Sequence, residues 1–205
     1  MPAMAKEPFV PLLSFDIKLT EDRNMKYNLS WLLAEIEEGV EPSYLFFWGD
    51  KSRKDGAIGK SCLSQWWKQG FTHEEIYYRT AEHWMMAEKA RLFGDEESLK
   101  KILRSNTPIE AKKLGRKVRD FQVEIWTQHR YDIVRTGNWY KFSQHPRLKA
   151  FLLSTGQQIL VEASPYDQIW GIGLSQEAPQ AHQPSEWLGQ NLLGFALMEV
   201  RDELQ

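Results

Sequence analysis

The chain has 205 residues, of which 42% are hydrophobic and 26% charged, and its formal net charge is −2. That balance is the composition of a soluble globular domain with enough apolar surface for a sizeable core. Lys and Arg are scattered among acids, which argues against strong nonspecific binding to nucleic acid while leaving room for a local anion site. A single cysteine, Cys62, excludes an internal disulfide, the first residues show no signal-peptide pattern, and no apolar run is long enough to span a membrane, so a reducing, cytoplasmic setting is expected.

In chain order, the segment before about Leu19 reads as extended, with a strand at Leu12–Leu19. Asn28 or Ser30 then caps a short helix, Leu29–Glu38, that Gly39 stops. Tyr44-Leu-Phe-Phe-Trp48 is strongly β-prone, and the charged, glycine-containing stretch from Lys51 to Lys60 reads as an exposed loop or hairpin tip. We divide the chain into an N-terminal extension, residues 1–43, with one short helix, and a single domain, residues 44–205.

From Thr80 onward the chain is mostly helical. In the run from Thr80 to Phe93, a period of 3.6 places Glu82, Met85, Met86, Lys89 and Phe93 on one stripe, so an acid and an amine share an otherwise apolar face. Buried ionisable groups are rarely kept without a partner or a role. His83, beside Glu82, reads as a hydrogen-bonded structural histidine rather than a base. Asp95 caps Glu96–Arg104, and Thr107-Pro-Ile-Glu110 carries a capping box with proline at the first helical position, starting a helix to about Leu114. Asp120 opens another, whose inner face includes Val123, Trp126, Arg130, Ile133 and Val134 and which Gly137 ends. Pro146–Ser154 is a further helix closed by Gly156, and Gln158–Ala163 reads as a buried strand. A long loop spans Ser164–Leu188, and Asn191–Leu204 is an amphipathic helix. The expected fold class is α+β: a single compact, helix-rich domain around a small sheet built from distant segments. A loop of that length in a compact domain is usually functional, and it contains Tyr166-Asp-Gln-Ile-Trp-Gly-Ile-Gly173.

Familiar signatures are missing. Gly171-Ile-Gly173 lacks the third glycine of a dinucleotide fingerprint, His73-Glu-Glu-Ile-Tyr77 lacks the second histidine of a zinc protease, and there is no Gly-x-Ser-x-Gly elbow. One cysteine and five dispersed histidines make no zinc site, and no metal or other cofactor is expected. What remains is carboxylates, indoles and cations. Those groups suit cleavage of a sugar carbon–nitrogen bond, in which a carboxylate meets an oxocarbenium-like carbon, a second group protonates the leaving nitrogen, indoles stack on the base and Lys or Arg holds phosphate. Glu82, Asp167, Trp126, Trp170, Lys89 and Arg116 would supply these parts.

Several segments, in this order, resemble the NADAR family, whose bacterial members include the YbiA-like N-glycosidases of riboflavin intermediates. They are Phe46-Phe-Trp48, Leu63-Ser-Gln-Trp66, Tyr78–Ala90, Ala111-Lys-Lys-Leu-Gly-Arg116, Trp126, Gly137–Gln144, Leu160–Asp167, Trp170-Gly-Ile-Gly173 and Gly189–Met198. The resemblance implies hydrolysis of an N-glycosidic bond, with Glu82, Trp126 and Asp167 at the family's catalytic positions and Lys89 beside them. It places Phe47, Trp48, Ser64, Arg116, Lys141, Trp170, Gly171 and Asn191 in substrate-binding motifs. Lys89, Arg116 and Lys141 would hold phosphates, with an imine to the opened ribose as the other role open to Lys89, and the roles of Glu82 and Asp167 are interchangeable at this level. The implied substrates are ADP-ribose on the guanine amino group, in DNA or a small molecule, and the phosphoribosylated pyrimidines of riboflavin synthesis. The first is preferred because shorter riboflavin-linked members carry Trp-Gly-Asp-Gly where this chain has Ile172. A DNA ADP-ribosyltransferase toxin is the partner that an antitoxin role would imply. Two rival readings are a module that binds ADP-ribose or NAD without cleaving it, and a structural partner that inhibits a toxin by contact.

Overall fold

The computed structural model describes residues 25–205, and in it the punctuation residues of the sequence set most helix ends. The strand expected at Leu12–Leu19 lies outside the described residues. Helix α1, Leu29–Glu37, starts where Asn28 Oδ1 accepts the Trp31 N–H at 2.7 Å, and the chain turns away at Gly39, whose φ of +92° is open to glycine. Strand β1, Tyr44–Phe47, follows, then a 3₁₀ turn at Lys60–Leu63. Strands β2, Phe71–His73, and β3, Ile76–Tyr78, form an antiparallel hairpin that the sequence pattern did not announce. Its two turn residues, Glu74 and Glu75, both have positive φ (47° and 64°), where Asn or Gly would be the usual signal.

Helix α2, Ala81–Leu92, is capped by Thr80, and eight of its twelve residues are buried, so it is a core helix rather than an amphipathic one. It packs against α3, Glu96–Arg104, α4, Pro108–Gly115, and α5, Val123–Ser143. The caps of α3 and α4 are those expected: Asp95 Oδ1 accepts from Ser98 N–H at 3.1 Å, and Thr107 Oγ1 from Glu110 N–H at 3.2 Å. The reciprocal half of the α4 capping box is shifted by one residue, because Glu110 Oε2 accepts from Asn106 N–H. Helix α5 corrects two boundaries. It begins at Val123 rather than at Asp120, which sits at φ +53°, and it runs through Gly137 to Ser143. A Cβ at Gly137 would come within 2.3 Å of Trp84 Cδ1, so this glycine is a groove for the Trp84 indole, whose Nε1 donates to Ile133 O at 2.8 Å.

Helix α6, Pro146–Ser154, closes at Gly156 and leads into β4, Ile159–Glu162. β4 pairs in parallel with β1, Tyr44 opposite Ile159 and Phe47 opposite Glu162, so two segments more than a hundred residues apart make a two-stranded sheet. After two 3₁₀ turns, Pro179–His182 and Pro184–Glu186, helix α7, Leu192–Glu203, lies against β4 and α5. The result is a helix-rich α+β domain with seven helices among the described residues, as expected. None of these helices is long and apolar enough to cross a membrane.

Candidate active site

Glu82 stands in the first turn of α2 and is only 2% exposed. Its backbone N–H donates to Gln65 O at 3.0 Å, and Trp66 Nε1 donates to its Oε2 at 3.3 Å, so the 63–67 segment closes over the helix start. Its other oxygen, Oε1, is buried without a hydrogen-bond partner. Burial pushes the Glu82 pKa up to about 7; the negative charge of Asp167 adds to the rise, while Lys112, the Trp66 N–H and Arg116 oppose it. Next to it, His83 is structural. Its Nδ1 lies 2.8 Å from Thr80 Oγ1 and its Nε2 donates to Ser105 O at 3.2 Å, and burial lowers its pKa, which keeps the ring neutral.

A second acid, half-buried as a residue but with one carboxyl oxygen out of water, lies within electrostatic reach of this one and was not singled out from the sequence. Glu162 ends β4, and burial raises its pKa to about 8, with the charges of Asp167 and Glu82 adding and Lys112 opposing. Its Oε2 is also buried and unpartnered. Asp167 therefore acts on both glutamates. Its own Oδ1 accepts the N–H groups of Ile169 and Trp170 at 2.9 and 2.8 Å, and its carbonyl accepts from Gly173 N–H, so the residue shapes the 167–173 loop that it belongs to. Three carboxyl groups from α2, β4 and the long loop thus share one electrostatic neighbourhood. Both polar atoms of the neighbouring Gln65 amide are buried and unpartnered as well. Buried polar groups are almost always satisfied in a folded chain, so orphans concentrated around Glu82 and Glu162 mark a place that a polar ligand completes.

Cations and rings border the acids. Lys112, another residue missed from the sequence, opposes the charge of both glutamates and lies with Nζ 5.8 Å from the Trp66 ring centroid. In the run Ala111–Arg116 it reads as one more solvated lysine, although its spacing of four puts it on the same face as Arg116. Lys89 does not pair with Glu82. Its ammonium lies 4.0 Å from the Phe121 ring centroid and 5.5 Å from that of the part-buried Trp126, and burial, then Arg116, lowers its pKa.

The remaining expected residues divide into lining and framework. Phe47 is fully buried in the core, whereas Trp48 is 54% exposed. Lys141 is fully buried: its Nζ donates to Ser64 O at 2.9 Å, so it holds the segment that covers Glu82, and desolvation lowers its pKa to about 8. Phosphate contact expected of it would require opening that segment. Ser64 Oγ in turn accepts from Trp66 N–H. Asn191, at φ +55°, spends its amide on β4, accepting from Glu162 N–H and donating to Leu160 O at 2.9 Å each. Gly171 packs where a Cβ would meet Glu162 O at 2.7 Å, and the part-buried Trp170 follows the Asp167 turn. Ile172 is buried in the core and donates its N–H to Glu162 O. Among the described residues no group of His, Cys, Asp or Glu is arranged to hold a metal ion.

The sign of the glutamate shifts carries a stability prediction. A carboxyl group whose pKa is higher in the fold than in the unfolded chain stabilises the fold fully below its unfolded value. That contribution is lost as pH rises through the folded value. For Glu82 and Glu162 the loss runs from about 4.5 up to about 7 and 8. Glu162→Gln keeps the shape without the titration, so its melting midpoint relative to wild type should rise between about pH 5 and about pH 9. Thermal melts at the two pH values check this, and an unchanged difference would contradict the buried state of Glu162.

A helix-rich α+β frame that gathers buried carboxylates, indoles and cations has the parts of a hydrolase acting on a sugar–nitrogen bond. Residues 46–205 match the NADAR domain model, and the chain belongs to the NADAR family. It is 44% identical over 167 residues to "N-glycosidase R617" of Acanthamoeba polyphaga mimivirus, covering 79% of this chain and 96% of that protein. It is 33% identical over 125 residues to "N-glycosidase YbiA" of Escherichia coli (strain K12), covering 61% of this chain and 69% of that one. The NMR structure of the E. coli protein YbiA superposes with a TM-score of 0.61 at 26% identity, over 80% of this chain and 86% of that one.

Proposed function

We propose that this chain, an enzyme acting on N-glycosyl compounds, hydrolyses the bond between ribose C1 and the amino nitrogen of ADP-ribosylated guanine, in DNA or as a nucleotide. The observation that carries the reading is the pair of glutamates, Glu82 and Glu162, each with one buried carboxyl oxygen that has no partner and each under the charge of Asp167. The names of the relatives support the bond class, and Ile172 in place of an acid supports the ADP-ribosyl substrate over a phosphoribosylated pyrimidine.

In the mechanism we infer, the C1–N bond breaks toward an oxocarbenium-like centre. Glu162 gives its proton to the departing nitrogen, and Glu82 takes a proton from the water that attacks C1; exchange with solvent restores both groups. Asp167 orients the ribose hydroxyls, Trp126 walls the base side, and Lys89, Lys112 and Arg116 meet phosphate. The products are the restored guanine, still part of its DNA or nucleotide, and ADP-ribose, with one water consumed. An antitoxin role opposite a DNA ADP-ribosyltransferase fits this reaction.

This assignment fixes a pH profile. Glu82 must be ionised, so kcat/KM rises as pH passes about 7, and Glu162 must hold its proton, so it falls as pH passes about 8. The two limbs are macroscopic values of a coupled pair and should enclose a narrow maximum. Rates measured across the neutral range check it, and a flat profile would exclude the assignment. The reaction itself is tested by giving the purified protein an ADP-ribosylated guanine oligonucleotide and the phosphoribosylated pyrimidine in parallel and following release by mass spectrometry. Turnover of the first is expected. Turnover of the pyrimidine alone would reverse the substrate preference, and binding with turnover of neither would leave an ADP-ribose-binding module.

A further inference from the structure

Phe47 is sealed in the core, yet the next residue, Trp48, is 54% exposed, and Tyr166, one residue before Asp167, is 86% exposed. Their ring centroids are 6.2 Å apart with planes tilted by 50°. Two large rings left in water side by side contribute little to folding. Their position follows from the parallel pairing: Phe47 lies opposite Glu162, so Trp48 leaves β1 at the end where β4 carries Glu162, and Tyr166 follows in the loop beyond that end. Beside Trp48 opens a cavity of about 690 Å³ whose lining includes Lys51, Arg53 and Lys60, with Asp50. Between Trp48 and Ser61 four cations, Lys51, Arg53, Lys54 and Lys60, stand against two acids, Asp50 and Asp55, in a chain whose overall charge is negative. None of the lining cations is locked away. Arg53 is forked onto Asp55 by two hydrogen bonds of 2.7 and 3.1 Å but keeps more than half of its side chain in water, and Lys60 Nζ donates to the neutral Gln176.

Exposed rings with cations alongside are the means by which proteins hold unpaired nucleotides: bases stack on the rings and phosphates meet the lysines and arginines. We propose that Trp48, Tyr166 and the basic 51–60 segment form a binding track for single-stranded polynucleotide, seating the nucleotides that flank a modified base. The reading rests on the proposed function for why such a track lies beside the acids, but binding is measurable without turnover. A duplex keeps its base faces stacked inward and offers the rings nothing, so the track selects single strands.

The test uses the full chain carrying Glu82→Gln and a fluorescent, unmodified deoxyoligonucleotide of about 12 nucleotides, long enough for a stacking track. Anisotropy should show binding that weakens as salt rises, with the duplex of the same sequence binding more weakly. Trp48→Ala and Tyr166→Ala should each cost about tenfold in affinity, the effect of losing one stacked base. In the otherwise wild-type enzyme, Tyr166→Ala and Lys51→Ala should raise KM for an ADP-ribosylated oligonucleotide while leaving ADP-ribosylated guanosine turnover unchanged. Equal affinity for duplex, or affinity unmoved by both ring substitutions, would overturn the track while leaving a working enzyme on the mononucleotide. Ring-dependent oligonucleotide binding without turnover of either substrate would instead overturn the proposed reaction and keep the track.

Discussion

Glu82→Gln should remove nearly all turnover while the protein stays folded. The substitution keeps the size of the side chain and its contact with Trp66 Nε1, through an amide oxygen, but takes away the carboxylate that accepts a proton from water. Loss of one positioned acid or base typically costs about 10²–10⁴-fold in rate. Stability should move the other way. Glu82 is almost completely buried with one unpartnered oxygen, so its ionised form is disfavoured by the fold, and a neutral amide relieves that strain above about pH 7. Rate and melting midpoint measured on the same preparation separate a chemical loss from unfolding. A variant that retained wild-type turnover would remove Glu82 from the reaction, and an inhibitor acting by contact alone would survive the change.

Gly194→Ala should be the most damaging small change to the frame. The residue lies in the first turns of α7, where alanine would ordinarily favour the helix by about 1 kcal/mol. Here its Cβ would fall 2.0 Å from Leu160 O and 2.5 Å from Asn191 Nδ2. Neither neighbour can yield easily, since Leu160 is held in the parallel ladder opposite Leu45 and its carbonyl accepts from that same Asn191 amide. The helix has to lift off the strand. Overpacking of this kind costs about 1–3 kcal/mol, and loss of the paired Asn191 hydrogen bonds adds about 1 kcal/mol or more. A domain of this size loses roughly 2–4 °C of melting midpoint per kcal/mol, so a fall of about 5–10 °C is expected. Activity should fall with it, because Asn191 Oδ1 also holds the Glu162 backbone. A midpoint at or above wild type would mean that α7 does not approach β4 so closely.

Much of the frame was legible because its helix ends obey local chemistry. Asn28, Thr80, Asp95, Thr107 and Pro146 mark starts through groups within a few residues of themselves, and Gly39 and Gly156 mark ends through φ values that favour glycine. Where the marker's reason was not local, the reading failed. Gly137 looked like a stop, but it is small because Trp84, from another helix, occupies the space of its Cβ. The β2–β3 hairpin turns on two glutamates that carry no turn signature.

The candidate site divides along the same line. The periodicity of the Thr80–Phe93 run was enough to put an acid and an amine on the inner face of a helix, and the ordered motifs were enough to suggest a family. Sequence spacing could not show that Glu82 and Lys89 have separate surroundings, one among carboxylates and an indole N–H, the other on the faces of Phe121 and Trp126. Nor could it single out Glu162, which ends an apolar strand and gains its raised pKa only when α2 and the Asp167 loop close around it. Helix caps and apolar periods are set by neighbours a few residues apart, so the chain itself determined them. The framework roles of Asn191 and Lys141 and the exposed Trp48–Tyr166 pair depend on contacts between residues far apart in the chain, and the acids' protonation on how α2, β4 and the Asp167 loop pack together, so only the packed structure decided those.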